Sequence, residues 1–333
     1  MNYLWISLGL ATVIGLLELL LQLVGFGHPL LYLADPELGY LIAPNQQIRR
    51  FGKQITINQY SMRNSTISAS RPAETLRILM IGDSIINGGG WTDQRETIPS
   101  LVQQQLQRSF DPNCDPNCDP QIEVLNASAN SWSPRNQLAY LKRFGSFEAQ
   151  AIVLVINTDD LFGTAPYSVV VGRAPNYPDR KPPSALAEAL YYYSLKLKLL
   201  KPPAIPELVN IQSEPGDRVG ANLAAIQQIH TFAQAHHAQF ILAMTPLKRE
   251  VDPSGSRDYE RKARQRLNEF VQSQQINFID FLPLFQALDA PAAIYHDTIH
   301  LNPIGNQQVS EHITQQINQL QSGLICQQLA ATP

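Results

Sequence analysis

Five short apolar runs, at residues 77–82, 122–125, 151–157, 239–244 and 276–280, alternate with longer segments able to form helices, at 95–109, 134–145, 218–236, 257–273 and 304–321. Runs of four to seven apolar residues suit strands, and strands separated by helical stretches pack as a parallel sheet covered on both faces. The pattern predicts a three-layer α/β/α sandwich over residues 76–325. A chain of 333 residues that is 44% hydrophobic and only 16% charged has enough apolar content for one such core with appendages. Ligands in these sheets bind beyond the carboxyl ends of the strands. The residues that follow the first three runs are therefore the first place to look for chemistry.

Before this core lies a second constraint. From Leu4 to Phe26 the chain has no Lys or Arg, and only Ser7, Thr12, Glu18 and Gln22 interrupt its apolar character. About twenty such residues span a bilayer as a helix. Val24-Gly25-Phe26-Gly27-His28 carries no small-residue cleavage pattern, so residues 1–27 read as an uncleaved transmembrane helix rather than a signal peptide. The first basic residues after it are Arg49, Arg50 and Lys53, whereas Asp35 and Glu37 lie closer. That distribution favours a cytoplasmic N-terminus and an extracytoplasmic main domain. Glu18 and Gln22 share one helical face; they make either a helix–helix contact or a self-satisfied polar pair.

The chemistry begins where Arg77-Ile78-Leu79-Met80-Ile81 runs into Gly82-Asp83-Ser84, and it is completed late in the chain by Asp297-Thr298-Ile299-His300. A serine hydroxyl is a weak nucleophile until an imidazole takes its proton, and the imidazole works best when a carboxylate fixes its tautomer. Asp83-Ser84 alone would serve equally as a helix cap; the strand before it and the Asp–His pair give it catalytic meaning. His296 competes with His300, but the spacing from Asp297 and the helix start at Leu301–Asn306 favour His300. His230, His236 and His237 lie on or beyond a predicted helix without a ligand pattern, and no metal constellation appears.

These residues resemble the SGNH (GDSL-type) hydrolases, whose nucleophile follows the first strand in a Gly-Asp-Ser block and whose acid and base share an Asp-x-x-His block. Two middle blocks fall in the expected order: Asn126-Ala127-Ser128 aligns with Asn-x-Gly, and Asn157-Thr158-Asp159-Asp160 with Gly-x-Asn-Asp. The resemblance implies a flavodoxin-like five-stranded sheet, catalytic Ser84, Asp297 and His300, and an oxyanion hole at Ser84, Ser128 and position 159. It implies no cofactor. Two positions depart from the pattern. Ser128 replaces a glycine but keeps its N–H, whereas Asp159 replaces an asparagine and, when ionised, has no proton to donate. Losing one oxyanion donor costs about a hundred- to a thousandfold in turnover. A protonated Asp159, the side chain of Asn157, or the backbone donors by themselves would each compensate; Asn157 shares a face with position 159 only if the chain stays extended.

The remaining segments frame this centre. Residues 28–75 read as a connector with a short β extension at Ile55–Ile57 and a polar linker from Ser65 to Glu74. Two insertions interrupt the domain. Residues 111–120 form a proline-dense tandem repeat whose Cys114 and Cys118 pair only in an oxidising compartment, leaving Cys326. Residues 162–216 carry a tyrosine run and a predicted helix at 184–200, suited to a lid, to packing, or to a membrane surface. Gly88-Gly89-Gly90 lacks nucleotide-loop spacing and reads as flexibility beside the nucleophile. A net charge of −3 gives no reason to expect nucleic acid. The expected function is a membrane-anchored esterase or acyltransferase acting on an acylated small molecule or glycan. A catalytically weak binding or scaffold protein for such a ligand is the alternative, and position 159 divides the two.

Overall fold

A computed structural model describes residues 2–109 and 121–321. The 111–120 repeat, with Cys114 and Cys118, lies outside the described residues, as does Cys326. Five strands, β5 (Thr75–Gly82), β6 (Gln121–Ser128), β7 (Ala151–Asn157), β8 (Gln239–Thr245) and β9 (Asn277–Asp280), form one all-parallel sheet in the order β6-β5-β7-β8-β9. Renumbered within the sheet this is 2-1-3-4-5, the flavodoxin-like order. Its switch point lies where β5, the first strand of the sheet, runs between β6 and β7. Every residue of β5 and β7 is buried, as strands covered on both faces require.

Alternate side chains of β5 enter two separate cores. Leu79 and Ile81 join one packed under α4 (Pro134–Phe144), α7 (Arg218–Ala235) and α9 (Asp258–Ser273). Ile78 and Met80 join the other, beneath α2 (Ser84–Asn87), α3 (Ile98–Ser109), α10 (Phe281–Gln286) and α11 (Pro303–Gln321). The period of two thus produces the three layers. Arg77, buried within β5, is neutralised by Glu123 directly across on β6, its Nε 2.8 Å from Oε2.

The connector is a β extension larger than the one strand its Ile55–Ile57 alternation suggests. In place of one short strand there are two antiparallel hairpins, β1 (Tyr32–Asp35) with β2 (Gly39–Ile42) and β3 (Gln46–Arg50) with β4 (Lys53–Ile57). Tyr32, Leu38, Tyr40, Ile42, Ile55, Ile57 and Met62 belong to the same core as the sheet. Polar contacts reinforce the docking: the Trp132 indole donates to the Tyr40 carbonyl, and Asn136 to that of Leu38. Beyond β4, Arg63 and Asn64 hydrogen-bond to the backbone of β6 at Asn126 and Val124, covering an otherwise open sheet edge.

The apolar N-terminal segment is the helix α1 (Asn2–Val24), whose Tyr3–Val24 stretch has a mean hydropathy of 2.1 and is long enough to cross a membrane. Within the 162–216 insertion lie α5 (Ala185–Lys196) and α6 (Pro206–Gln212); α8 (Lys248–Val251) follows β8. The helix predicted to reach residue 200 stops at Lys196, because Lys198 takes a left-handed φ of 58°. Within the insertion α5 packs against α1, whereas Tyr167, Val170 and Tyr177 pack with the hairpins into the sheet's core. Glu18 accepts the backbone N–H groups of Ala185 and Leu186 at 2.8 Å each, besides that of Gln22 Nε2. The structure therefore contains both the Glu18–Gln22 pair and a helix–helix contact.

Candidate active site

Ser84 is the first residue of α2, immediately beyond the buried β5. Asp83 caps that helix by accepting the Ile85 N–H at 2.9 Å, which fixes the turn that presents the serine. Ser84 is buried, only 9% exposed, with its Oγ 2.8 Å from Nε2 of His300. The other ring nitrogen of His300, Nδ1, lies 2.7 Å from Asp297 Oδ2. Serine, histidine and aspartate thus form a continuous hydrogen-bonded chain across 216 residues of sequence separation.

The loop carrying Asp297 and His300 is held from several sides. Tyr295 and Leu301 form a β-bridge at its neck, and the Lys248 N–H donates to the Thr298 carbonyl. Asn302 starts α11 by accepting the N–H groups of Ile304 and Gly305 while its amide donates to Ala293. Asp297 Oδ1 accepts the Ile299 and His300 backbone N–H groups at 2.9 and 2.8 Å. Burial pushes the Asp297 carboxyl up, but those amides and the His300 ring outweigh it and hold the group below the usual carboxylate range. An ionised Asp297 keeps the proton on Nδ1 and leaves Nε2 free to accept the Ser84 hydroxyl.

Ser128 ends β6, in register with Gly82 two residues before Ser84. Its hydroxyl is turned inward to Asn126, and Asn87 donates toward it from α2. Asn157, at the end of β7, donates its side-chain amide to Asp83 Oδ2 at 2.9 Å and to Asp160 Oδ2 at 3.2 Å. This leaves it no hydrogen for an oxyanion in this arrangement. The chain also ceases to be extended there: residues Thr158–Phe162 turn into a 3-10 helix capped by Asn157, so positions 157 and 159 do not share a face. Asp159 is exposed, gives its backbone N–H to Asn157 Oδ1, and has no hydrogen bond to Ser84 or His300 among the described residues. Desolvation by the surrounding chain nonetheless raises its carboxyl, an effect that Arg249 and Arg257 oppose and Glu250 reinforces.

Next to Ser84 is a buried acid pair that the sequence does not advertise. Asp83 and Asp160 both face the Asn157 amide. Desolvation raises both carboxyls, and the charge of Asp83 drives Asp160 further up. A second buried network supports the turn after β7: Thr158 and Arg264 both bond Glu250, and Arg264 also reaches Asp280 at 2.9 Å.

The glycine run is pinned rather than flexible. Gly88 and Gly89 take φ values of 80° and 56°, and a Cβ at Gly89 would meet the Trp91 ring at 2.3 Å. From the connector, the buried Arg63 guanidinium reaches across to the Asn87, Gly89 and Thr92 carbonyls at 2.5, 2.7 and 2.6 Å. A fork of five N–H donors suits a loop whose carbonyls turn inward. The loop sets the Trp91 indole 4.6 Å from the His300 ring and stacks it on His296 at 5.2 Å. His296 thus contacts the indole while His300 contacts the serine. Trp91 and Arg63 were the residues least visible in advance: a lone Trp after glycines and a lone Arg in a polar stretch carry no spacing signal.

The family model for GDSL-like lipases and acylhydrolases matches residues 80–308. Among solved structures, an acetyl xylan esterase is similar with a TM-score of 0.47 and 14% identity, over 72% of this chain and 99% of that one. An acetylxylan esterase from Geobacillus stearothermophilus gives 0.45 and 14%, over 74% and 95%. A GDSL-like lipase from Bacteroides thetaiotaomicron gives 0.43 and 11%, over 76% and 93%. No curated protein matches the sequence.

Proposed function

The chain belongs to the GDSL-like lipase/acylhydrolase family, and from that premise we propose a membrane-anchored serine esterase that removes O-acyl groups, acetyl among them, from a small molecule or glycan. The observation that carries this reading is the Ser84–His300–Asp297 chain, with contacts of 2.8 and 2.7 Å. His300 Nε2 takes the Ser84 proton as Oγ attacks the ester carbonyl, and Asp297 stabilises the imidazolium. The Ser84 and Ser128 backbone N–H groups hold the oxyanion. Collapse expels the alcohol, protonated by His300, and leaves an acyl-serine. Water, activated by the same imidazole, then releases the acid and restores Ser84. An alcohol entering in place of water would complete an acyl transfer by the same steps.

The anchor in this reading is α1, with its N-terminus cytoplasmic and the hydrolase domain outside. Its support is the length and apolarity of Tyr3–Val24. The function is tested by incubating the full chain in detergent micelles with p-nitrophenyl acetate and with acetylated oligosaccharides, measuring free acetate. Turnover that Ser84→Ala abolishes supports the esterase. Saturable ligand binding without turnover, unchanged by Ser84→Ala, would favour the scaffold reading, for which the carboxylate at position 159 is the motivating feature. Acetate moved to an added alcohol faster than to water would assign the transferase branch.

A further inference from the structure

Helix α5 leaves a broad apolar surface uncovered at the foot of α1. Leu190 on α5 and Leu197, Leu199 and Leu200 just beyond it are 62%, 66%, 73% and 52% exposed, a concentration of large apolar side chains in water that marks an interaction surface. Lys196, Lys198 and Lys201 alternate with these leucines, and none forms an ion pair among the described residues. The surface is fixed relative to α1. Glu18 holds the start of α5 through the Ala185 and Leu186 N–H groups, and Glu188 accepts the Gly27 N–H at 2.6 Å and pairs with Arg50. Six residues separate Glu18 from Val24, so α5 begins about 9 Å up the helix from its foot.

The foot itself carries interfacial chemistry. Phe26 contacts Phe51, Tyr192 and Tyr193 at ring separations of 5.3, 6.0 and 6.2 Å. The Arg50 guanidinium lies over Phe26 and Phe51 and donates to the Gly25 carbonyl. Aromatic rings with one polar edge, basic side chains and adjacent leucines are the composition of a membrane–water boundary.

We infer that α5 and residues 197–201 form an interfacial element, with the leucines in the acyl region of an anionic bilayer and the lysines at its phosphates. This rests on the reading of α1 as a membrane span and deepens it: the domain is clamped to the bilayer at a fixed attitude instead of hanging from a tether. Since Phe51 bonds Val24 and Gln54 bonds Asp93, chain-length limits place Trp91 within about 30 Å of Val24. The active centre is therefore held within a bounded distance of the span's foot.

The test uses the full chain with its three cysteines changed to serine. A single NBD fluorophore is placed at Val13→Cys, Leu197→Cys or, as an aqueous control on α9, Lys262→Cys. Each protein is reconstituted in phosphatidylcholine–phosphatidylglycerol nanodiscs with brominated acyl chains. Quenching at Val13 and Leu197 but not at Lys262 is expected. Quenching at Leu197 should also fall about twofold or more when Lys196, Lys198 and Lys201 become Gln, while Val13 is unaffected. Quenching at Val13 alone would retain the span and overturn the placement of α5, and quenching at neither would overturn both. Energy transfer between copies labelled at Leu197, without bromine quenching there, would assign the surface to self-association and overturn the inference. Unchanged quenching in the triple-Gln variant would overturn the role given to the lysines.

Discussion

At the residue scale the account turns on carboxylates in different surroundings. Asp297 accepts three hydrogen bonds and is held low, whereas desolvation keeps Asp83 and Asp160 high. A carboxyl raised in the folded state adds stability below its unfolded value, near 3.9, and loses that contribution as pH rises through the folded value. Replacing Asp160 by Asn removes the titration. The melting temperature of the wild type relative to Asp160→Asn should thus fall as pH rises above about 4 and level off once the folded carboxyl has ionised; a constant difference would contradict the buried pair. In the proposed oxyanion hole, Asp159→Asn would remove a negative charge and supply a donor. Its kcat for acetyl esters should rise, by up to about a hundredfold. An unchanged kcat would put position 159 outside the oxyanion hole. Ser84, Asp297 and His300 were legible in the sequence because short blocks at fixed spacing name them. The acid pair was not, since a second buried aspartate becomes visible only when β5 and β7 lie side by side.

At the scale of elements the informative case is the loop from Gly88 to Thr92. A run of three glycines suggests freedom, yet here the positive φ values of Gly88 and Gly89 admit a close Trp91 ring and inward carbonyls that Arg63 satisfies. Arg63→Met would strand three buried acceptors and cost about 3–6 kcal/mol. Urea unfolding should register this loss, and kcat should fall as Trp91 loses its place beside His300. Arg63→Lys should recover only part, because an ammonium cannot span what a planar fork does. Stability within about 0.5 kcal/mol of wild type for Arg63→Met would contradict the clamp. The main strands and helices were readable from apolar period and length. The two hairpins were not: four- and five-residue strands expose no alternation beyond Ile55 and Ile57, and their burial comes from docking on α4 and the sheet.

At the scale of the whole molecule, the strand order brings the ends of β5, β6 and β7 together and so gathers Ser84, Ser128 and the 157–160 turn at one edge, where the α11 loop delivers His300. The same chain adds an apolar helix whose foot is built into the domain through Arg50, Glu18 and Glu188. As a consequence of the anchored reading, the full chain should stay with membranes through alkaline carbonate washing and enter solution only with detergent; release by carbonate alone would contradict the span. The alternation of strands and helices announced the sandwich, and the apolar run announced α1. Their connection through α5 was not legible, because a glutamate within an apolar run does not name its partner. The central claim is an activated Ser84, and covalent labelling by a fluorophosphonate, followed by mass spectrometry of the digested protein, tests it most directly. The adduct should appear on Ser84, disappear in Ser84→Ala, and form much more slowly in His300→Ala. An undiminished adduct in Ser84→Ala, or equal labelling rates with and without His300, would contradict it.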